Sequence, residues 1–184
     1  MQKIRICHSI IPISLFSLLI ISLLLSTATA QTSNLYRNNT HSFSIIFPQG
    51  WIQRSGHHPN TVVISEDTKG AQITIQVFAL PGAIGDMTLD QYPESKLKLM
   101  IHHTFQEIKN RIDRDAVLEK SGITYICNKK SIWMLTSHTR EKSKVMTYAV
   151  WGNGKQYEIL CSAPINRYGQ YQNIFLNSVR TFLF

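Results

Sequence analysis

The chain has 184 residues, 43% of them hydrophobic, and its 19 Lys and Arg against 11 Asp and Glu give a net charge of +8. That is enough chain to bury a proper core in one domain without disulfides or a structural metal. A basic excess can serve nucleic acid, anionic membranes or acidic partners. Here the basic residues are scattered, and the dense groups, Lys129-Lys130 and Arg140 to Lys144, fall in expected hairpin turns that are wet in any case, which excludes nucleic-acid binding as the main role.

Residues 1–30 have the three parts of an export signal. Lys3 and Arg5 give a basic start, the 13 residues from Ile13 to Leu25 an apolar core, and Ala28-Thr29-Ala30 an A-x-A site for cleavage between Ala30 and Gln31. A membrane-spanning helix needs about 20 apolar residues. The 22 uncharged residues from Ser9 to Ala30 reach that length, so an uncleaved anchor stays open, although Pro12 and the interspersed serines weigh against it. No cysteine stands at the cleavage point to accept a lipid. Cleavage leaves residues 31–184 as a single domain with no membrane span and a net charge of +6 once Lys3 and Arg5 are gone.

Asn34 to His41 is a polar lead-in that contains the glycosylation sequon Asn38-Asn39-Thr40, relevant only in a eukaryotic secretory pathway. Phe43 to Phe47 reads as a short strand stopped by Pro48. Thr61 to Ser65 and Ala71 to Phe78 are β-rich runs around a polar turn, and the second alternates strictly, with Ile73, Ile75 and Val77 on one face and Gln72, Thr74 and Gln76 on the other. Thr88 and Gln91 have capping-box spacing. A helix is expected from about Tyr92, with Pro93 in its first turn and Leu97, Ile101, Phe105, Ile108 and Ile112 forming an apolar stripe that Met100 and Thr104 widen.

The second half reads as four consecutive strands: Val117 to Cys127, Ser131 to His138, Lys144 to Trp151 and Lys155 to Cys161. Asn153-Gly154 is the signature of a two-residue type I′ hairpin turn. It sets a register in which Val150 faces Tyr157, Tyr148 faces Ile159 and Met146 faces Cys161, one wholly apolar face; the other, with Trp151, Ala149, Thr147, Gln156, Glu158 and Leu160, is mixed. A closing helix over Asn166 to Ser178 carries Tyr168, Tyr171, Ile174 and Phe175, followed by an apolar tail to Phe184. The fold class is α+β, an antiparallel sheet flanked by helices. The stripe of Leu97, Ile101 and Phe105 is expected on the apolar face, and the closing helix on the mixed one.

Cys127 and Cys161 remain after the leader is lost, an even pair in an oxidising compartment. In a meander of strands they stand about 20 Å apart, whereas a disulfide needs Cα atoms within about 7 Å. Two free thiols are expected, with Cys161 a buried hydrophobe. No histidine near either one supplies the base that a catalytic cysteine needs. His102 and His103 point roughly 100° apart on a helix, and His103 with Glu107 gives only two ligands. His57-His58 lies in a loop before Pro59, while His41 and His138 stand separately. No metal, cofactor or catalytic residue is therefore assigned, and the hydrolase, metalloprotease, P-loop and dinucleotide signatures are all absent. Trp51, Trp133 and Trp151 could line a groove, but aromatic residues on strands are more often core.

Taken in order, these pieces resemble the PsbP-like superfamily: Phe43 to Pro48 with Gly50-Trp51 as the opening strand and P-x-G-W turn, and Thr88 to Tyr92 as the first-helix start. Asn153-Gly154-Lys155, Tyr157 and Ser162-Ala163-Pro164 match the late hairpin, and Tyr168, Tyr171 and Phe175 the final helix. The resemblance implies an α/β/α sandwich around an antiparallel sheet. The superfamily includes extrinsic lumenal subunits of photosystem II, periplasmic proteins of the DcrB type and a nuclear Ran-binding protein. It thus implies a non-enzymatic scaffold that binds other proteins, and transfers no site residue. The first functional expectation is an exported protein, periplasmic or extracellular, that docks on an envelope or membrane-associated protein complex. The alternatives are a small-ligand or metal carrier and an unrecognised enzyme.

Overall fold

The computed structural model describes residues 34–184, so the expected leader and its cleavage point at Ala30 and Gln31 lie outside the described residues. Strands β1 (Leu35–Asn38) and β2 (Phe43–Ile46) pair as an antiparallel hairpin of their own. The chain then builds a seven-stranded antiparallel sheet from β3 (Ile52–Arg54), β4 (Thr61–Glu66), β5 (Gln72–Ala79), β6 (Val117–Ile126), β7 (Lys129–His138), β8 (Ser143–Gly152) and β9 (Lys155–Pro164). The spatial order is β3-β4-β5-β9-β8-β7-β6, so β6 to β9 form the expected meander and β9 docks beside β5. Helices α1 (Glu94–Arg111) and α2 (Tyr168–Val179) flank this sheet.

The late hairpin has the expected register. Asn153 and Gly154 both take positive φ, 54° and 72°, as a type I′ turn requires. Val150 pairs with Tyr157, Tyr148 with Ile159 and Met146 with Cys161. The two cysteines are free, Cys161 fully buried and Cys127 in the β6–β7 turn. Burial pushes the Cys161 thiol well above its ordinary range, which suits a packing role.

The helices, however, cover the opposite faces from those expected. The apolar face, with Ile73, Ile75, Val150, Tyr157, Ile159 and Cys161 at its centre, lies under α2, the β1–β2 hairpin and the tail. Tyr168, Tyr171, Phe175 and Val179 come from α2, Phe43 and Ile45 from the hairpin, and Phe182 from the tail. The stripe of α1 instead packs Leu97 and Ile101 on the mixed face, against Ile132, Ala149 and Trp151. The reason is aromatic content. α2 carries three buried rings, the larger apolar load, and goes to the larger apolar surface. The α1 stripe also fades along its length, since Phe105 and Ile108 are partly exposed and Ile112 is exposed.

Two local expectations are corrected. Thr88 to Gln91 makes a short 3-10 turn without a side-chain cap, so the capping box does not form. Pro93 stands just before α1, in extended conformation, because its ring and missing N–H fit outside the first turn better than within it. Two elements carry no strand pattern of their own in the sequence: the polar lead-in is β1, and the exposed edge strand β3 is only three residues long. At the other end, Leu183 exchanges two backbone hydrogen bonds with Ser44, adding the tail to the hairpin. The tail needs Gly152, because a Cβ there would clash with the Phe184 ring.

One carboxylate ties α2 to the sheet. Asp67, in the β4–β5 turn, accepts hydrogen bonds from the Tyr171 hydroxyl and from the backbone N–H groups of Lys69 and Ala71, both at 2.8 Å. Burial opposes its ionisation, but these three donors outweigh burial and hold the carboxyl below its usual range. A carboxylate shifted in that direction stabilises the fold above the ordinary carboxylate range and loses that contribution as pH falls through the lowered value. Asp67→Ala is therefore expected to cost on the order of 1–3 kcal/mol at neutral pH, with the gap to wild type closing in acid. Urea melts at neutral pH and at about pH 3 check this; equal losses at both would contradict it.

Candidate functional site

α1 covers only half of its sheet face. It lies over β6 and β7, and the turn carrying Leu89 closes the same layer. Beyond β8 that face continues across β9, β5, β4 and the edge strand β3, and no helix among the described residues covers it. There Leu160, Gln76 and Ile64 are partly exposed, and Ile52 is 62% exposed. Both the uncovered strip and the helix edge beside it follow from the mixed residue pattern of these strands, which offers too little apolar surface to hold a helix over its full width.

Where the edge of α1 meets the strip, an enclosed crevice of about 50 Å³ opens between helix and sheet. Met100 and Thr104 line it from α1, Ile132 and Met134 from β7, Thr147 and Trp151 from β8, and Gln156 and Glu158 from β9. The hairpin register decides which groups meet. Trp151 faces Gln156, and Glu158 faces the small Ala149, which leaves space in front of the carboxylate. The Trp151 indole N–H donates to Gln156 Oε1 at 2.8 Å, and Gln156 Nε2 donates to Glu158 Oε1 at 2.6 Å. The Trp151 ring is itself held edge-on to Tyr92, with centroids 5.9 Å apart. A three-residue relay thus ends on a carboxylate.

That carboxylate has no cationic partner: none of the ion pairs among the described residues includes Glu158. Burial pushes its carboxyl above the usual range, and the Gln156 hydrogen bond only partly offsets the shift. The native state consequently holds this proton more tightly than the unfolded chain does. The contribution to stability is full below the ordinary carboxylate range and is lost as pH rises through the raised value. Glu158→Gln, which keeps the shape and removes the charge, should melt higher than wild type at neutral pH, with the difference shrinking at about pH 4. Calorimetry at both values decides this, and a variant that melts lower at neutral pH would contradict it.

A second polar group sits at the far end of α1. Asp113, 1% exposed, has Oδ2 3.8 Å from His138 Nδ1, and His138 Nε2 lies 2.9 Å from the Thr136 hydroxyl. The acid–imidazole–hydroxyl sequence is that of a nucleophile relay, but Thr136 is 0% exposed and no substrate can reach it. Asp113 Oδ2 and His138 Nδ1 are too far apart to hydrogen-bond, so the trio is not a connected relay but a buried polar contact between the loop after α1 and β7.

The other residues considered from the sequence are dispersed. His57, His58, His102 and His103 are all exposed, and among the described residues no three His, Cys, Asp or Glu side chains converge. Trp51 packs edge-on against Tyr171 and Phe175, and Trp133 supports the same core. Trp151 alone of the three lines the crevice. Glu158 was missed as a site residue, and its signal was present: a lone acid on a strand face shared with Trp151, Ala149 and Thr147. Wider hollows of about 310 Å³ beside Arg37 and about 530 Å³ beside Ile165 are open to solvent. No helix among the described residues is long and apolar enough to cross a membrane.

No family model matches the chain, and no curated protein matches it. Among solved structures it is similar to the solution structure of cyanobacterial PsbP (CyanoP) from Synechocystis sp. PCC 6803. The TM-score is 0.60 at 13% identity, over 81% of this chain and 90% of that one. A crystal structure from Bacteroides thetaiotaomicron VPI-5482 aligns with a TM-score of 0.44 at 11% identity, over 77% of this chain and 44% of that one. The chain has the PsbP-like α+β fold, a large antiparallel sheet between two helices.

Proposed function

We propose that this chain is an exported, non-enzymatic binding protein that docks on an envelope or membrane-associated protein complex. Residues 1–30 serve as its export signal, cut between Ala30 and Gln31, and residues 31–184 work as one domain in the periplasm or outside the cell. The observation that carries the reading is the half-covered sheet face. Among the described residues no helix covers the strip from Glu158 and Leu160 on β9 to Ile52 on β3, which mixes apolar and polar side chains as non-obligate interfaces do and rests on a seven-stranded sheet. The PsbP-like fold supports the reading, since a fold built around one sheet and two helices can present such a face without chemistry of its own.

The test is affinity capture of the tagged full chain from the compartment it reaches, beside a Leu160→Arg variant. Leu160 is partly exposed on the strip, so the change alters the surface and spares the core. A specific protein recovered with wild type and lost with the variant is the expected result. Recovery of the same protein with both would move the interface elsewhere, and recovery of none would end the docking reading.

A further inference from the structure

We propose that the crevice under α1 is a site for a primary ammonium group carried on an unbranched alkyl stem, with the Glu158 carboxylate as its counter-charge. Four features of the site select that chemistry. First, the carboxylate is partly buried and unpaired, with small Ala149 opposite it. A charge so placed gains most from a ligand that brings the opposite charge into the same low-dielectric space.

Second, the hydrogen-bond roles are already assigned on one side. Gln156 Oε1 is occupied by the Trp151 indole and one Gln156 Nε2–H is directed at Glu158, so the relay fixes the carboxylate as the negative end of the crevice. Thr104 and Thr147 line the remaining wall, and their hydroxyl oxygens can accept from an N–H donor. An ammonium has three donors and no acceptor, and one carboxylate oxygen with two hydroxyls matches that set.

Third, the walls are soft and apolar. Met100, Met134 and the Trp151 ring surround the space with polarisable sulfur and π surface, which favours a cation on a methylene stem over a hydrated inorganic ion. Fourth, size suits a small head group: one water needs about 10–15 Å³ of cavity volume, and the crevice offers about 50 Å³. The inference rests on the docking reading only for the source of the amine: a lysine side chain of the bound partner, or a free alkylamine.

The experiment titrates the protein, purified from cells expressing the full chain, with n-butylammonium chloride at fixed ionic strength. The readouts are Trp fluorescence and the indole N–H resonance of Trp151. The controls are n-butanol and n-butyrate, which keep the stem and change the head. Saturable binding of n-butylammonium, at least tenfold tighter than n-butanol and with no binding of n-butyrate, is expected, and Glu158→Gln should weaken it at least tenfold. Absence of saturable binding, equal affinity for n-butanol, or undiminished affinity in a folded Glu158→Gln variant overturns the inference. The wild-type comparison of ammonium with alcohol needs no variant and stands even if Glu158→Gln does not fold. Acetylating the lysines of a captured partner separates the two sources: lost capture identifies the side chain, and unchanged capture beside n-butylammonium binding identifies a free amine. Failure of the titration leaves the capture result intact, and a failed capture leaves the titration intact.

Discussion

Phe175→Ala should remove about 3–5 kcal/mol of stability, which for a domain of this size lowers the melting temperature by roughly 10–15 °C. Phe175 is 0% exposed and lies where α2 meets the sheet. Its ring stacks on Tyr171 at 5.9 Å, packs against Tyr168 at 6.0 Å and receives Trp51 edge-on at 6.3 Å. Truncation removes the buried area and leaves a cavity walled by rigid aromatic groups that cannot collapse into it. Ile174, one position earlier and 37% exposed, is the internal control. Ile174→Ala should cost no more than about 1 kcal/mol, because more than a third of its surface already meets water and it lies outside the buried core. Thermal melts followed by circular dichroism check both. A Phe175→Ala loss below about 1 kcal/mol would mean that α2 does not close this core.

Elements were legible in the sequence wherever local chemistry had one outcome. Asn153-Gly154 admits one turn, and that turn fixes the register of a whole hairpin, so Met146 opposite Cys161 could be read before any coordinates. Strict alternation in β5 made it a half-buried strand, and the stripe through Leu97 and Ile101 made α1 a helix. What periodicity does not encode is which face of a sheet a helix chooses, since either side satisfies the same stripe. That choice was decided by a comparison between distant segments: three buried α2 rings plus Phe43, Ile45 and Phe182 against the shorter stripe of α1. β1 and β3 escaped notice because neither has an apolar alternation of its own; they are strands by virtue of β2 and β4 beside them. The site was half legible for the same reason. The mixed face of β8 and β9 was visible, whereas the burial of Glu158 depends on Met100 and Thr104, which reach it from a helix more than fifty residues upstream.

Leu97→Ala should cost about 3 kcal/mol, and its larger value is as a probe of how the two cores divide the work. Leu97 is 0% exposed and packs with Ile101, Leu89, Ile132, Ala149 and Trp151, a smaller cluster than the one under α2. The seven-stranded sheet stands between the clusters, so a cavity on one side has no shared wall with a cavity on the other. Losses on the two sides should therefore add. Combining Leu97→Ala with Phe175→Ala would exhaust most of the 5–15 kcal/mol that typical domains possess, so the milder pair Ile101→Val and Val179→Ala is the better measurement. Ile101 and Val179 are each 4% exposed, one in each cluster. Their double variant should match the sum of the single losses within about 0.5 kcal/mol, as for independent sites. A coupling above about 1 kcal/mol would show that the sheet transmits strain between its faces. Docking on the open strip would then be felt in the α2 core as well as at the crevice.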